Sequence, residues 1–222
     1  MNMYFNFVPF LLLILILTSC DDETSLGMQE SFPIENNRPI KYLALGDSYT
    51  IGESVAQSER YPVQLINRLR NDGIEVANPQ IIARTGWRTD DLISAIASSS
   101  ITDTFDIVSL LIGVNNQFQG SPIDKYKVEF AQLLDTALIY AGRDKNKVFV
   151  ISIPDYGYTP FGSYNQERIS FEIDVYNAIN KSITEEAGIS WFNITPISRR
   201  GLEDPELIAS DGLHPSGEMY LQ

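Results

Sequence analysis

The chain is 222 residues long and 44% apolar, with 16 basic and 29 acidic side chains and a formal net charge of −13. So negative a surface excludes nucleic acid as an expected partner, because it would repel a polyphosphate backbone. A single cysteine excludes an intrachain disulfide, and a single histidine with no acidic cluster at ligand spacing leaves no expected metal site.

In chain order, the first 19 residues carry no charged side chain, and Val8 to Leu17 is almost unbrokenly apolar. That run is short for a membrane span, which needs about 20 residues, and it reads as an export signal. An uncleaved anchor is the alternative. Leu17-Thr18-Ser19-Cys20 resembles the lipobox of bacterial lipoproteins, which implies cleavage before Cys20 and lipidation of its thiol. Residues 1–19 are then expected to be a signal peptide and residues 20–38 a lipidated cysteine with a polar linker. The expected location is the cell envelope, lipid-anchored at the outer membrane or cell surface.

From residue 39 to 222 short apolar runs alternate with segments of helical period, the pattern of a parallel sheet covered on both faces by helices. Strands are predicted over 40–45, 75–83 (a less regular one), 107–112, 147–153 and 189–192. Helices are predicted over 61–70, 89–97, 124–140 and 166–187. In the third of these, Tyr126, Phe130, Leu133, Leu134, Ala137 and Leu138 share one face. The expectation is a single three-layer α/β/α domain of flavodoxin-like form with about five parallel strands.

In such a sheet the functional loops follow the carboxyl ends of the strands. Gly46-Asp47-Ser48-Tyr49 follows the first predicted strand, Arg84-Thr85-Gly86-Trp87 the second, and Gly113-Val114-Asn115 the third. Asp211-Gly212-Leu213-His214-Pro215 follows the last after a longer loop. A serine hydroxyl is a weak nucleophile until an imidazole takes its proton, and the imidazole needs a carboxylate to fix its tautomer. Ser48, His214 and Asp211 supply those three groups, and a turn through Gly212 can return the Asp211 carboxylate to His214 Nδ1. The lone serine, or a histidine before a proline, would by itself be an ordinary loop residue.

These four blocks in this order resemble the SGNH, or GDSL-type, family of serine esterases and lipases, from about Tyr42 onward. The resemblance implies Ser48 as nucleophile, His214 as base and then acid, and Asp211 as its orienting carboxylate. It implies an oxyanion hole from the N–H groups of Ser48 and Gly86 and the side-chain amide of Asn115. It further implies hydrolysis of carboxylic esters, acyl or acetyl, through an acyl-enzyme, with no cofactor. Relatives often carry Asp where Asn116 stands, and usually place a further helix after the histidine block. By that comparison the C-terminal helix is expected to be cut short at Gln222.

Asp47, although beside the serine, points away from it on an extended chain and is expected to bond backbone N–H groups instead. The loop from Ile153 to Gly162 is rich in aromatics and is expected to border the substrate, with Tyr158, Tyr49 and Trp87 as candidate contacts. The substrate is expected to be a small molecule, a lipid or an acylated glycan. A rival reading is a catalytically silent lipoprotein that holds glycan or lipid on the same scaffold. A phosphate cradle at Gly46 to Gly52 is disfavoured, because the loop lacks the glycine spacing of a P-loop or dinucleotide fingerprint.

Overall fold

The computed structural model of the chain describes residues 38–222. The signal peptide, Cys20 and the linker read from the sequence lie outside these residues, save for the linker's last residue, Arg38. In chain order the elements are β1 (Tyr42–Gly46), α1 (Ser48–Ile51), α2 (Tyr61–Asn71), β2 (Gln80–Ala83), α3 (Thr89–Ala97), β3 (Ile107–Leu111) and α4 (Val114–Phe118). They continue with α5 (Ile123–Tyr140), β4 (Val148–Ile151), α6 (Gln166–Glu186), β5 (Ser190–Phe192), α7 (Thr195–Ser198) and α8 (Gly217–Leu221). Among the described residues no helix is long and apolar enough to cross a membrane.

All five strands are parallel and lie in the order β2-β1-β3-β4-β5. The expected flavodoxin-like α/β fold is therefore the observed one. Alternate strand residues Leu43, Leu45, Val108, Leu110, Val148 and Val150 pack with Leu92 of α3, the buried face of α5, and Ile169 and Ile173 of α6. The opposite face of β1 packs Tyr42 and Ala44 against Ile66 of α2. Period-2 strands between two helical layers account for this division, since successive side chains point to opposite faces.

All five strands differ from the sequence reading, three of them by two residues or more at one end. The second predicted strand contracts to Gln80–Ala83: Pro79 has no N–H to give a ladder, and upstream only Val76 pairs, in a single bridge with Ile40. That bridge is also Ile40's only pairing, so β1 begins at Tyr42. β4 is shorter than predicted because Lys145–Lys147 forms a 3₁₀ turn before it and Pro154 follows closely after.

The strand order makes the connection reverse direction between β1 and β3, opening a crevice at their carboxyl ends. Gly46 closes the end of β1, and no larger residue fits there. A Cβ at that position would lie 2.3 Å from the Leu111 carbonyl oxygen and 2.1 Å from Thr50 Oγ1. This close approach seats the turn into α1, and with it Ser48, directly on the end of β3.

Candidate active site

Ser48 is the first residue of α1, so its N–H has no intrahelical acceptor. Asp47 caps the helix, its Oδ1 accepting from Tyr49 N–H at 3.0 Å. Asp47 is fully buried, and its Oδ2 finds no partner among the described residues. Burial pushes its pKa up to about 7, against the opposing pull of the Tyr49 and Gly113 N–H groups. Its carboxylate thus serves the turn, away from the histidine.

At the other side of the crevice, Gly212 adopts φ +72°, a left-handed turn that folds Asp211 back over its own loop. Asp211 Oδ1 accepts from Leu213 N–H at 2.9 Å and His214 N–H at 3.0 Å. Its Oδ2 lies 2.6 Å from His214 Nδ1 and accepts from Ser54 Oγ at 2.7 Å. Burial alone would raise the Asp211 pKa, but the His214 ring, the His214 N–H, Ser54 and the Leu213 N–H together hold it well below the usual carboxylate range. An ionised Asp211 fixes the proton of a neutral imidazole on Nδ1 and leaves the lone pair on Nε2. The ring itself is buried and meets Tyr49 edge-on at 5.7 Å.

The second and third blocks complete the crevice. Residues 84–87 form a turn closed by Trp87 N–H to the Arg84 carbonyl at 3.2 Å, with Gly86 at φ +84°. Among the described residues no backbone acceptor takes the Gly86 N–H, while its carbonyl accepts from Gln119 Nε2 at 3.1 Å. Asn115 Nδ2 donates to the Trp87 carbonyl at 3.0 Å. That bond orients the amide and leaves its second N–H uncommitted. Asn116 is fully buried and clamps the start of α3, its Oδ1 accepting from Thr89 N–H at 3.0 Å and its Nδ2 donating to Thr89 Oγ1 at 2.7 Å.

Ser48, Gly86, Asn115 and His214 line one half-open cavity of about 140 Å³, together with Tyr49, Thr85, Val114, Phe118, Tyr156, Phe161 and Leu213. Of the three candidate substrate contacts, Tyr49 lines it; Trp87 and Tyr158 do not. Trp87 instead packs on the core and offers its carbonyl to Asn115. In the 153–162 loop the cavity-facing residues are Tyr156 and Phe161, because Tyr156–Tyr158 is a 3₁₀ turn that sends alternate side chains apart. Tyr156 is anchored by its hydroxyl to Gln117 Oε1 at 2.9 Å, and the Phe161 N–H donates to the Gly212 carbonyl at 3.0 Å. Phe118, Tyr156 and Phe161 touch one another, with ring centroids 6.1 to 6.4 Å apart. Phe118 stands one turn after Asn115 in α4, a helix too short to be read from the sequence, so it carried no signal there, and neither did Ser54.

The model of the GDSL-like lipase/acylhydrolase family matches residues 44–221 of the chain. No curated protein matches it. Among solved structures, TesA is similar at a TM-score of 0.64 and 14% identity, over 81% of this chain and 91% of that one. Axe2, an acetylxylan esterase from Geobacillus stearothermophilus, is similar at 0.61 and 19%, over 82% and 89%. The psychrotrophic esterase EstA from Pseudoalteromonas sp. is similar at 0.57 and 16%, over 82% and 90%. At these identities the likeness is one of fold.

Proposed function

Because the chain belongs to the GDSL-like lipase/acylhydrolase family and is therefore a carboxylic ester hydrolase, we propose that Ser48, His214 and Asp211 carry the reaction through an acyl-enzyme. The observation that carries this reading is the meeting of Ser48, Gly86, Asn115 and His214 on one cavity, with Asp211 bonded to His214 Nδ1. Ser48 Oγ attacks the ester carbonyl as His214 Nε2 takes its proton, and the imidazolium that forms is stabilised by ionised Asp211. The oxyanion is received by the N–H groups of Ser48 and Gly86 and the free N–H of Asn115. His214 hands its proton to the departing alcohol, then activates the water that releases the acid.

We also propose short-acyl esters as the preferred substrates. The cavity at Ser48 is small, about 140 Å³, and is bordered by the rings of Phe118, Tyr156 and Phe161, which suits a short acyl group better than a fatty chain. The exposed faces of Phe118 and Phe161 offer an apolar platform at the rim for the leaving alcohol. The acetylxylan esterase name of one structural neighbour is in keeping with a short acyl group.

The test is a ladder of nitrophenyl esters from acetyl to long acyl, assayed on folded wild type and Ser48→Ala. We expect activity to peak at short chains and to vanish in the variant. Background-level rates in both would sink the triad reading, and a peak at long chains would sink the short-acyl one.

From the Leu17-Thr18-Ser19-Cys20 motif we propose in addition that the enzyme is exported and lipid-anchored through Cys20 at the cell envelope. Cys20→Ala should lose both labelled-palmitate incorporation and membrane fractionation; retention of both would refute the anchor.

A further inference from the structure

The acceptor sites of Asp211 are all filled, and one filler comes from far away. A carboxylate offers about four lone-pair sites. Leu213 N–H, His214 N–H and the His214 ring occupy three of them, all from the same five-residue loop. The fourth is taken by Ser54 Oγ at 2.7 Å, 157 residues away in the chain. Ser54 stands in the turn that leaves the nucleophile's helix: Gly52 N–H and Glu53 N–H both donate to the Ser48 carbonyl at 3.0 Å. Its backbone φ is +65°, and among the described residues only Arg143 shares such a conformation without being glycine. A side chain held in this sparsely populated region is found where the surroundings over-determine it.

We infer that Ser54 is a positioning residue of the ester-hydrolysing site, locking the Asp211–His214 loop to the loop that carries Ser48. The inference rests on the triad reading given above. The backbone of Ser48 and the carboxylate of Asp211 are thereby joined through one short, stiff turn, so the ring of His214 is registered against the nucleophile from both sides. Ser54 also shares Oδ2 with the histidine. Removing its hydroxyl frees that oxygen to interact more strongly with the imidazolium, which favours the protonated ring. A purely structural contact would change neither this balance nor the split between kcat and KM.

The experiment compares Ser54→Gly, Ser54→Asn and Ser48→Ala with wild type on 4-nitrophenyl acetate from pH 5 to 9, with Tm recorded for each. Glycine removes the hydroxyl and accepts the positive φ, so the fold is retained; asparagine tolerates that φ and restores an N–H donor. For Ser54→Gly we expect kcat to fall about tenfold, the loss of one hydrogen bond to a charged group. KM should stay within about twofold, and the acid limb of kcat/KM should move to higher pH. Ser54→Asn should recover most of both. A folded Ser54→Gly with wild-type kcat and an unmoved acid limb, beside an inactive Ser48→Ala, would overturn the inference alone, water having replaced the hydroxyl. Equal losses in the glycine and asparagine variants with no movement of the limb would overturn it as well. Hydrolysis surviving in Ser48→Ala would instead bring down the triad reading, and this inference with it.

Discussion

Asn115 is held by a single bond to the Trp87 carbonyl, so its removal leaves the surrounding turn intact while deleting one donor from the cavity. Asn115→Ala should keep its Tm and lose about 10²- to 10³-fold in kcat, the scale of a lost oxyanion donor; steady-state kinetics on a short ester checks it. Asp47 makes a different prediction. Its folded pKa of about 7 lies above the unfolded value of about 3.9, so the native state keeps a proton that the unfolded chain has released. Stability is then greatest below about pH 4, falls as pH rises towards 7 and levels off above it. Asp47→Asn should remove that slope, by on the order of a few kcal/mol across the window, seen as a Tm difference from wild type that grows between pH 4 and 7. The Asp211–His214 pair was legible in the sequence because three residues and a glycine turn bring both groups together locally. The Ser54–Asp211 bond was not, since its partners meet only through the tertiary fold and nothing in Glu53-Ser54-Val55 marks a positive φ. The place of Tyr158 has a related reason: the sequence locates the loop, but the 3₁₀ turn decides that the Tyr156 ring, and not that of Tyr158, lines the cavity.

Among the elements, the turn from β1 into α1 is the most constrained. A methyl group on Gly46 would collide with the Leu111 carbonyl, which is backbone and cannot swing aside. Gly46→Ala should therefore cost about 1–3 kcal/mol, as overpacking does, and should depress activity because any relief moves α1 and Ser48; urea midpoints beside kcat/KM measure both. The long helices were readable from periodicity, and α3 has the predicted limits, 89–97, because the apolar stripe and the Asp90 and Asp91 of its first turn agree. Short elements were not. α1, α4 and α7 have four or five residues each, too few for a period to show, and they form because an N-cap or a neighbouring strand end holds them. α4 matters most of these, for it puts Asn115 and Phe118 on the cavity and turns Asn116 inward to Thr89.

At the scale of the whole molecule, strand order joins loops separated by more than 150 residues into one crevice. The alternation of strand and helix makes a parallel sheet readable, but the order β2-β1-β3-β4-β5 is set by the face each connection takes and is written in no single residue. It places the carboxyl ends of β1 and β3 side by side, where Ser48 and Asn115 meet. One consequence lay beyond the sequence. The sheet is packed by α3, α5 and α6 on one side, whereas on the other side α2 and α8 leave an apolar cavity of about 270 Å³ floored by Leu111, Phe149 and Ile151. Phe192 at the sheet's edge is 53% exposed. The central claim remains that Ser48 is a nucleophile activated by His214, and covalent trapping tests it most directly. The folded protein would be treated with an alkyl fluorophosphonate and the modified peptide identified by mass spectrometry. The account predicts one adduct, on Ser48, absent from Ser48→Ala and formed far more slowly by His214→Ala. An adduct on another residue, or unchanged labelling of the folded His214→Ala protein, would contradict it.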